Sequence, residues 1–188
     1  MKTTIKMVIA VAIIISSLEV KAQNLVSGIY LTGQDYRTNK LSYALGNNDK
    51  LQLNEFLGGK NVSVTYLGKK IKLSKSEIFG YRYNNVDYRF FNNDAYKIID
   101  TQDFYIYSRP KLSQQGKGLK PVDTYYFSNS DNALIEPFTI ANLQVAYAKN
   151  PKFKYTVAAQ FKSDNELIAY DDAIKEYKVK YLFEQSTK

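Results

Sequence analysis

Val62-Ser63-Val64-Thr65-Tyr66-Leu67-Gly68-Lys69-Lys70-Ile71-Lys72-Leu73 is the stretch on which the fold turns. Val62, Val64 and Tyr66 alternate with Ser63 and Thr65. Beyond Gly68, Ile71 and Leu73 alternate with Lys70 and Lys72. Alternate residues of a strand share one face, and a glycine between two such runs allows the chain to reverse. The stretch therefore predicts a β-hairpin with one apolar face.

Similar signals extend in both directions. Upstream, Gly28 to Thr32, Leu41 to Leu45 and Leu51 to Leu53 read as strands. Downstream, Ile78 to Tyr83, Tyr88 to Phe91, Tyr96 to Ile99, Phe104 to Tyr107 and Thr124 to Phe127 do the same, with turns such as Asn84-Asn85 and Asn92-Asn93-Asp94 between them. Phe104 to Tyr107 is apolar on both faces, which suits a central strand or one under helices. Ser108 to Val122 carries Arg109, Lys111, Lys117 and Lys120 without an acid, and is expected to be a mobile, solvated loop.

After about residue 128 the periodicity changes. Thr139 precedes a stripe of Ile140, Leu143 and Tyr147. Asn150-Pro151 offers an N-cap with proline in the first turn, ahead of Phe153, Val157 and Phe161. Ser163 and Glu166 have the spacing of a capping box. Asp171 or Asp172 is expected to start a last helix bearing Ile174, Tyr177, Tyr181 and Leu182. Strands followed by helices give an α+β fold: an N-terminal antiparallel sheet packed against a C-terminal group of three or four helices. It forms a single domain over 23–188, β-rich over 23–128 and helical over 138–186.

Residues 1–22 read differently. Lys2 and Lys6 precede an apolar run from Met7 to Ile15, then Ser16-Ser17 and Val20-Lys21-Ala22. That is the pattern of a secretory signal peptide, with cleavage expected near Ala22-Gln23. The run is about half the roughly 20 residues that a spanning helix needs. The expected product is periplasmic or secreted, with no transmembrane segment in the mature chain. With no Cys, lipid attachment at the cleavage site is excluded.

The 188-residue chain has a formal net charge of +8, 17 Tyr, 10 Phe, no Trp, no His and no Cys. Without His there is no imidazole base and no Ser-His-Asp triad. Without Cys there is no thiol nucleophile, thiolate zinc site or disulfide. Carboxylate-pair hydrolysis, Ser-Lys or Tyr nucleophiles and an all-oxygen Ca²⁺ site remain, with no recognisable motif for any of them. No cofactor is expected.

Ile78-Phe79-Gly80-Tyr81-Arg82, Asp87-Tyr88-Arg89-Phe90, Gln160 to Asp164 and the tail through Tyr177-Lys178-Val179 resemble a group of uncharacterised secreted proteins of Gram-negative bacteria. The resemblance implies export and a shared fold; it brings no activity and no site residue.

Two constellations bear on binding. Lys60, Lys69, Lys70, Lys72 and Lys75 lie in a span without Asp or Glu, which suits an anionic surface or the protection of an exposed edge strand. Arg82 and Arg89 each follow a tyrosine, and Arg82 is placed to stack on Tyr88 or Phe90 across a hairpin. These seven residues form the candidate anion-binding surface. The leading expectation is a non-enzymatic binding or interaction protein of the cell envelope, its partner an anionic envelope component or another envelope protein. The alternatives are a carboxylate-dependent hydrolase acting on glycans and a structural protein without a small ligand.

Overall fold

A computed structural model describes residues 26–54 and 58–188. The expected signal peptide and its cleavage site lie outside the described residues. Among the described residues, no helix is long and apolar enough to cross a membrane.

The chain is mixed α and β, dominated by an antiparallel eight-stranded sheet, with helices mostly towards the C-terminus. The strands are β1 (Ser27–Tyr30), β2 (Tyr43–Leu45), β3 (Lys50–Gln52), β4 (Asn61–Tyr66), β5 (Lys69–Ser74), β6 (Gly80–Tyr83), β7 (Val86–Phe91), β8 (Asp94–Asp100), β9 (Tyr105–Gln115), β10 (Gly118–Ser128) and β11 (Glu136–Pro137). The large sheet has the order β11-β10-β9-β8-β7-β6-β1-β2, and β3-β4-β5 form a separate three-stranded sheet. The quoted hairpin is β4–β5, with Val62 opposite Leu73 and Val64 opposite Ile71.

Register assigns the faces of the large sheet. Ile29, Tyr81, Tyr88, Lys97, Ser108 and Tyr125 are successive cross-strand partners from β1 to β10, so they share one face. At one end of that face the small sheet packs Val62 and Val64 against Ile29, Tyr81 and Phe90. At the other end, Ile106 and Phe127 meet the helical residues Leu143, Phe153, Val157 and Val179. The opposite face carries Tyr96, Tyr107 and Tyr126, which cluster with Ile135.

The helices differ in part from expectation. Helix α1 (Gly33–Arg37) is a single turn that the periodicity does not reveal. Its signature is the capping box of Thr32 and Asp35, each side chain accepting from the other's backbone N–H. Helices α2 (Ile140–Ala146) and α3 (Pro151–Gln160) start at the expected caps, with Thr139 Oγ1 accepting from Asn142 N and Asn150 Oδ1 from Phe153 N. Asp164–Ile168 forms a 3₁₀ helix, and Ser163 makes no side-chain cap.

Two expectations are corrected. Asp171 does not cap a helix: its Oδ1 accepts from Ala173 N. This local side-chain bond competes with helix formation and turns a small hairpin, β12 (Tyr170–Asp171) and β13 (Glu176–Tyr177), before helix α4 (Lys178–Thr187) begins. The supposed loop from Ser108 to Val122 is strand: β9 and β10 pair from Tyr105 opposite Ser128 to Gln115 opposite Gly118. Pro110 and Pro121 are tolerated because this stretch is a two-stranded ribbon, where each strand has an open side.

Phe104 joins sheet to helices. It is fully buried, and its ring meets those of Phe127, Phe138, Tyr147 and Phe183. Phe104→Ala is expected to cost about 3–5 kcal/mol, read as a lower urea midpoint at unchanged slope.

Candidate functional site

The cross-strand row from Ile29 to Tyr125 is covered at both ends and open in the middle. Tyr81 is buried under the small sheet, Tyr88 is half-buried, and Lys97 is exposed. The open stretch floors a groove of about 540 Å³, with Leu53, Gly58 and Lys75 on the small-sheet side and Pro110 and Asp123 at the far rim. Tyr81 and Tyr88 lie nearly parallel, ring centroids 4.7 Å apart at 4°. Tyr83 also lines the groove and is half exposed. Arg109 and Asp94 stand at the rim as an ion pair, Nη2 to Oδ1 at 2.7 Å, with the guanidinium over the Tyr96 ring. That pair has the parity of Tyr96 and its side chains lie towards the opposite face, so Lys75, Lys97 and Asp123 are the charges on the groove's own face, and its net charge is small. Its distinctive content is aromatic surface beside polar groups.

The structure does not bring the seven residues of the expected anion surface together. Lys60, Lys69, Lys70 and Lys72 are exposed on the small sheet or at its start. Lys75 is buried instead. It has the same parity as Ile71 and Leu73, which points it inward, and its ammonium lies 5.5 Å from the centroid of the Phe90 ring. Arg82 and Arg89 lie on the opposite face of the large sheet, paired by register with Asp87 and Gly80. Tyr88 and Phe90 have the other parity, so Arg82 does not stack on them. It donates from Nε and Nη2 to the two Asp87 oxygens, both at 2.7 Å, and lies over the Tyr30 ring. This bidentate bond holds the Arg82 pKa above its usual value. Burial, then the Asp87 charge, raises that of Tyr30.

Arg89 is buried and acts as a clamp. Nη1 donates to the Tyr107 hydroxyl at 3.0 Å and Ser128 Oγ at 3.2 Å, and Nη2 to the Ala133 carbonyl at 2.6 Å. These bonds tie the segment after β10 to the sheet. Burial raises the Tyr107 pKa, against the neighbouring Arg89 charge.

A second polar centre was not foreseen. Lys180 is fully buried, donates to the Gln102 and Phe104 carbonyls, and pairs with Asp100 at 2.5 Å. Burial lowers its pKa, and Asp100 opposes that shift. Nearby, carboxylate oxygens of Asp103, Glu176 and Glu184 lie within 4.8 Å of one another. Gln102 Nε2 donates to Glu176 at 3.0 Å and Glu184 at 2.7 Å. An all-oxygen set of this kind is suited to a hard cation such as Ca²⁺. No local spacing announces it: Asp103 lies in the segment between β8 and β9, Glu176 in β13 and Glu184 in α4.

Comparison with protein-family models, curated proteins and solved structures finds no match.

Two expected outcomes follow from these geometries. Burial first, then the charge on Glu184, holds the Asp103 and Glu176 carboxyls above their ordinary values. Both therefore bind protons more tightly folded than unfolded. Their contribution to stability is complete below the ordinary carboxylate range and is lost as pH rises through the raised values. Glu184→Gln keeps an acceptor for Gln102 and removes the repelling charge. Calorimetry should show a higher melting temperature at about pH 7 and no change at about pH 3.

The lysines of β5 give the other outcome. β5 is an edge strand of its sheet, and exposed Lys69, Lys70 and Lys72 blunt such an edge. The triple change K69Q/K70Q/K72Q should increase light scattering at high concentration while shifting stability by no more than about 0.5 kcal/mol.

Proposed function

We propose that this chain is an exported, non-enzymatic binding protein of the cell envelope whose groove takes a saccharide. The observation that carries this reading is the exposed Tyr83 beside the stacked Tyr81–Tyr88 pair, in a groove that also offers Lys97, Ser108 and Asp123. A pyranose ring presents C–H groups on its faces and hydroxyls round its edge. Tyrosine suits both, with an apolar ring and a polar tip, and planar charged side chains supply hydrogen bonds of fixed direction. The small net charge of the lining, Lys75 and Lys97 beside Asp123, argues for a neutral or weakly charged sugar over a strong anion. The aromatic-rich composition, the signal-peptide pattern and the resemblance to secreted proteins support the same reading.

A glycan hydrolase is the alternative, because two carboxylates, Asp94 and Asp123, line the groove. Such enzymes need a pair free to act as acid and as base or nucleophile. Asp94 is tied to Arg109, so binding is the better-supported function.

Calorimetric titration with envelope oligosaccharides tests this. Tyr83→Ala should weaken binding about tenfold, as loss of a half-exposed aromatic contact costs on the order of 1–2 kcal/mol. Unfolding should shift little, since Tyr83 is half exposed. Unchanged affinity in Y83A would remove the groove as the site. Release of reducing ends by the wild-type protein, abolished in Asp123→Asn, would establish the hydrolase instead.

A further inference from the structure

Among the described residues, no other strand pairs with β9 beyond Ser108 or with β10 before Tyr126. β8 pairs with β9 only as far as Ser108, and β11 pairs with β10 only at Tyr126 and Phe127. Every residue from Pro110 to Pro121 is exposed. The result is a two-stranded arm. From Pro110 to Gln115 it reaches about 17 Å at the usual strand rise.

Its faces are unlike. Leu112 is opposite Pro121, Leu119 is opposite Gln114, and Pro110 is opposite Asp123. Alternation therefore puts Pro110, Leu112, Leu119 and Pro121 on one face, with Gln114 near the tip and Asp123 at the root. Leu112 and Leu119 are 68% and 62% exposed, an unusual position for large aliphatic side chains set close together. The other face carries Lys111 and Lys120, and Lys117 sits in the turn. No Asp or Glu occurs between Arg109 and Asp123.

The occupant of this arm must accept leucines and neutralise lysines together. We propose that the arm docks on an anionic lipid monolayer, with Leu112 and Leu119 entering the headgroup–acyl boundary and Lys111, Lys117 and Lys120 engaging lipid phosphates. A membrane interface combines these two properties in one surface. The arm lies on the bilayer and does not span it, because a spanning strand needs roughly 9–11 residues. The saccharide groove meets the arm at its root, through Pro110 and Asp123.

The test uses residues 23–188, which contain the three hydrophobic clusters of the described residues and leave out the apolar run from Met7 to Ile15, so that only the arm is probed. The chain has no Trp, so Leu119→Trp places a single indole reporter on the arm. Its emission should shift to the blue on titration with vesicles of equal parts phosphatidylglycerol and phosphatidylcholine, and stay unchanged with phosphatidylcholine alone. Added salt should reverse the shift. In this background, K111Q/K117Q/K120Q should lower the partition coefficient on the order of a hundredfold, at about 1 kcal/mol per lysine. K69Q/K70Q/K72Q, which alters the small sheet, should leave it unchanged.

Circular dichroism on each variant confirms the fold. Emission unmoved by the anionic vesicles overturns the proposal, as does an equal effect of the two lysine triples. A blue shift with polyglutamate as large as that with the vesicles would assign the arm to an acidic polypeptide and also overturn it.

Discussion

Strand β7 lies between β6 and β8, and the alternation of its side chains organises the molecule. Tyr88 and Phe90 point to one side; Asp87, Arg89 and Phe91 point to the other. The first side needs an apolar cover, which the small sheet supplies over Phe90. The second needs hydrogen-bond acceptors for a buried guanidinium, which Tyr107, Ser128 and the Ala133 carbonyl supply. A shift of one residue in this register would exchange the two sets. Phe90 would then face acceptors, and Arg89 would face Val62 and Val64. Gly80 shows how closely the strands are fitted: a Cβ there would strike the Tyr88 carbonyl, the reason a strand glycine is kept where another backbone approaches.

Most strands were legible in the sequence because each carries its own period-two record. The β4–β5 hairpin, the aromatic strands from Tyr81 to Tyr107 and the caps at Thr139 and Asn150 all state their structure locally. The arm was not legible, because proline and glycine normally signal a break, and only the register of β9 with β10 shows that both strands continue. The last helix was misplaced because Asp171 fits both an N-cap and a turn, and the choice depends on the bond it makes to Ala173.

The candidate sites were less legible than the fold, for a physical reason. A lysine-rich segment does not reveal which lysines point inward. Lys75 has the parity of Ile71 and Leu73 and is buried, while Lys70 and Lys72 are exposed. The expected pairing of Arg82 with Tyr88 or Phe90 fails on the same parity. The groove takes residues from β6, β7, β8, β9 and β10. No spacing in one segment announces a row that runs across strands. Lys180 and the acids near it are likewise joined only by folding.

The place of β1 between β2 and β6 has a kinetic meaning. Tyr30 donates its hydroxyl hydrogen to Asp87, 57 residues away, and Lys180 reaches the Phe104 carbonyl across 76. Neither the beginning nor the end of the described chain completes its packing with sequence neighbours. Long loops must close before these contacts repay their entropy, and topologies of this kind fold in milliseconds to seconds instead of microseconds. As the chain emerges from the ribosome, its first strand has an open edge until Tyr83 has followed it. During that interval β1 can pair only with β2, and its other edge is a template open to any extended chain nearby.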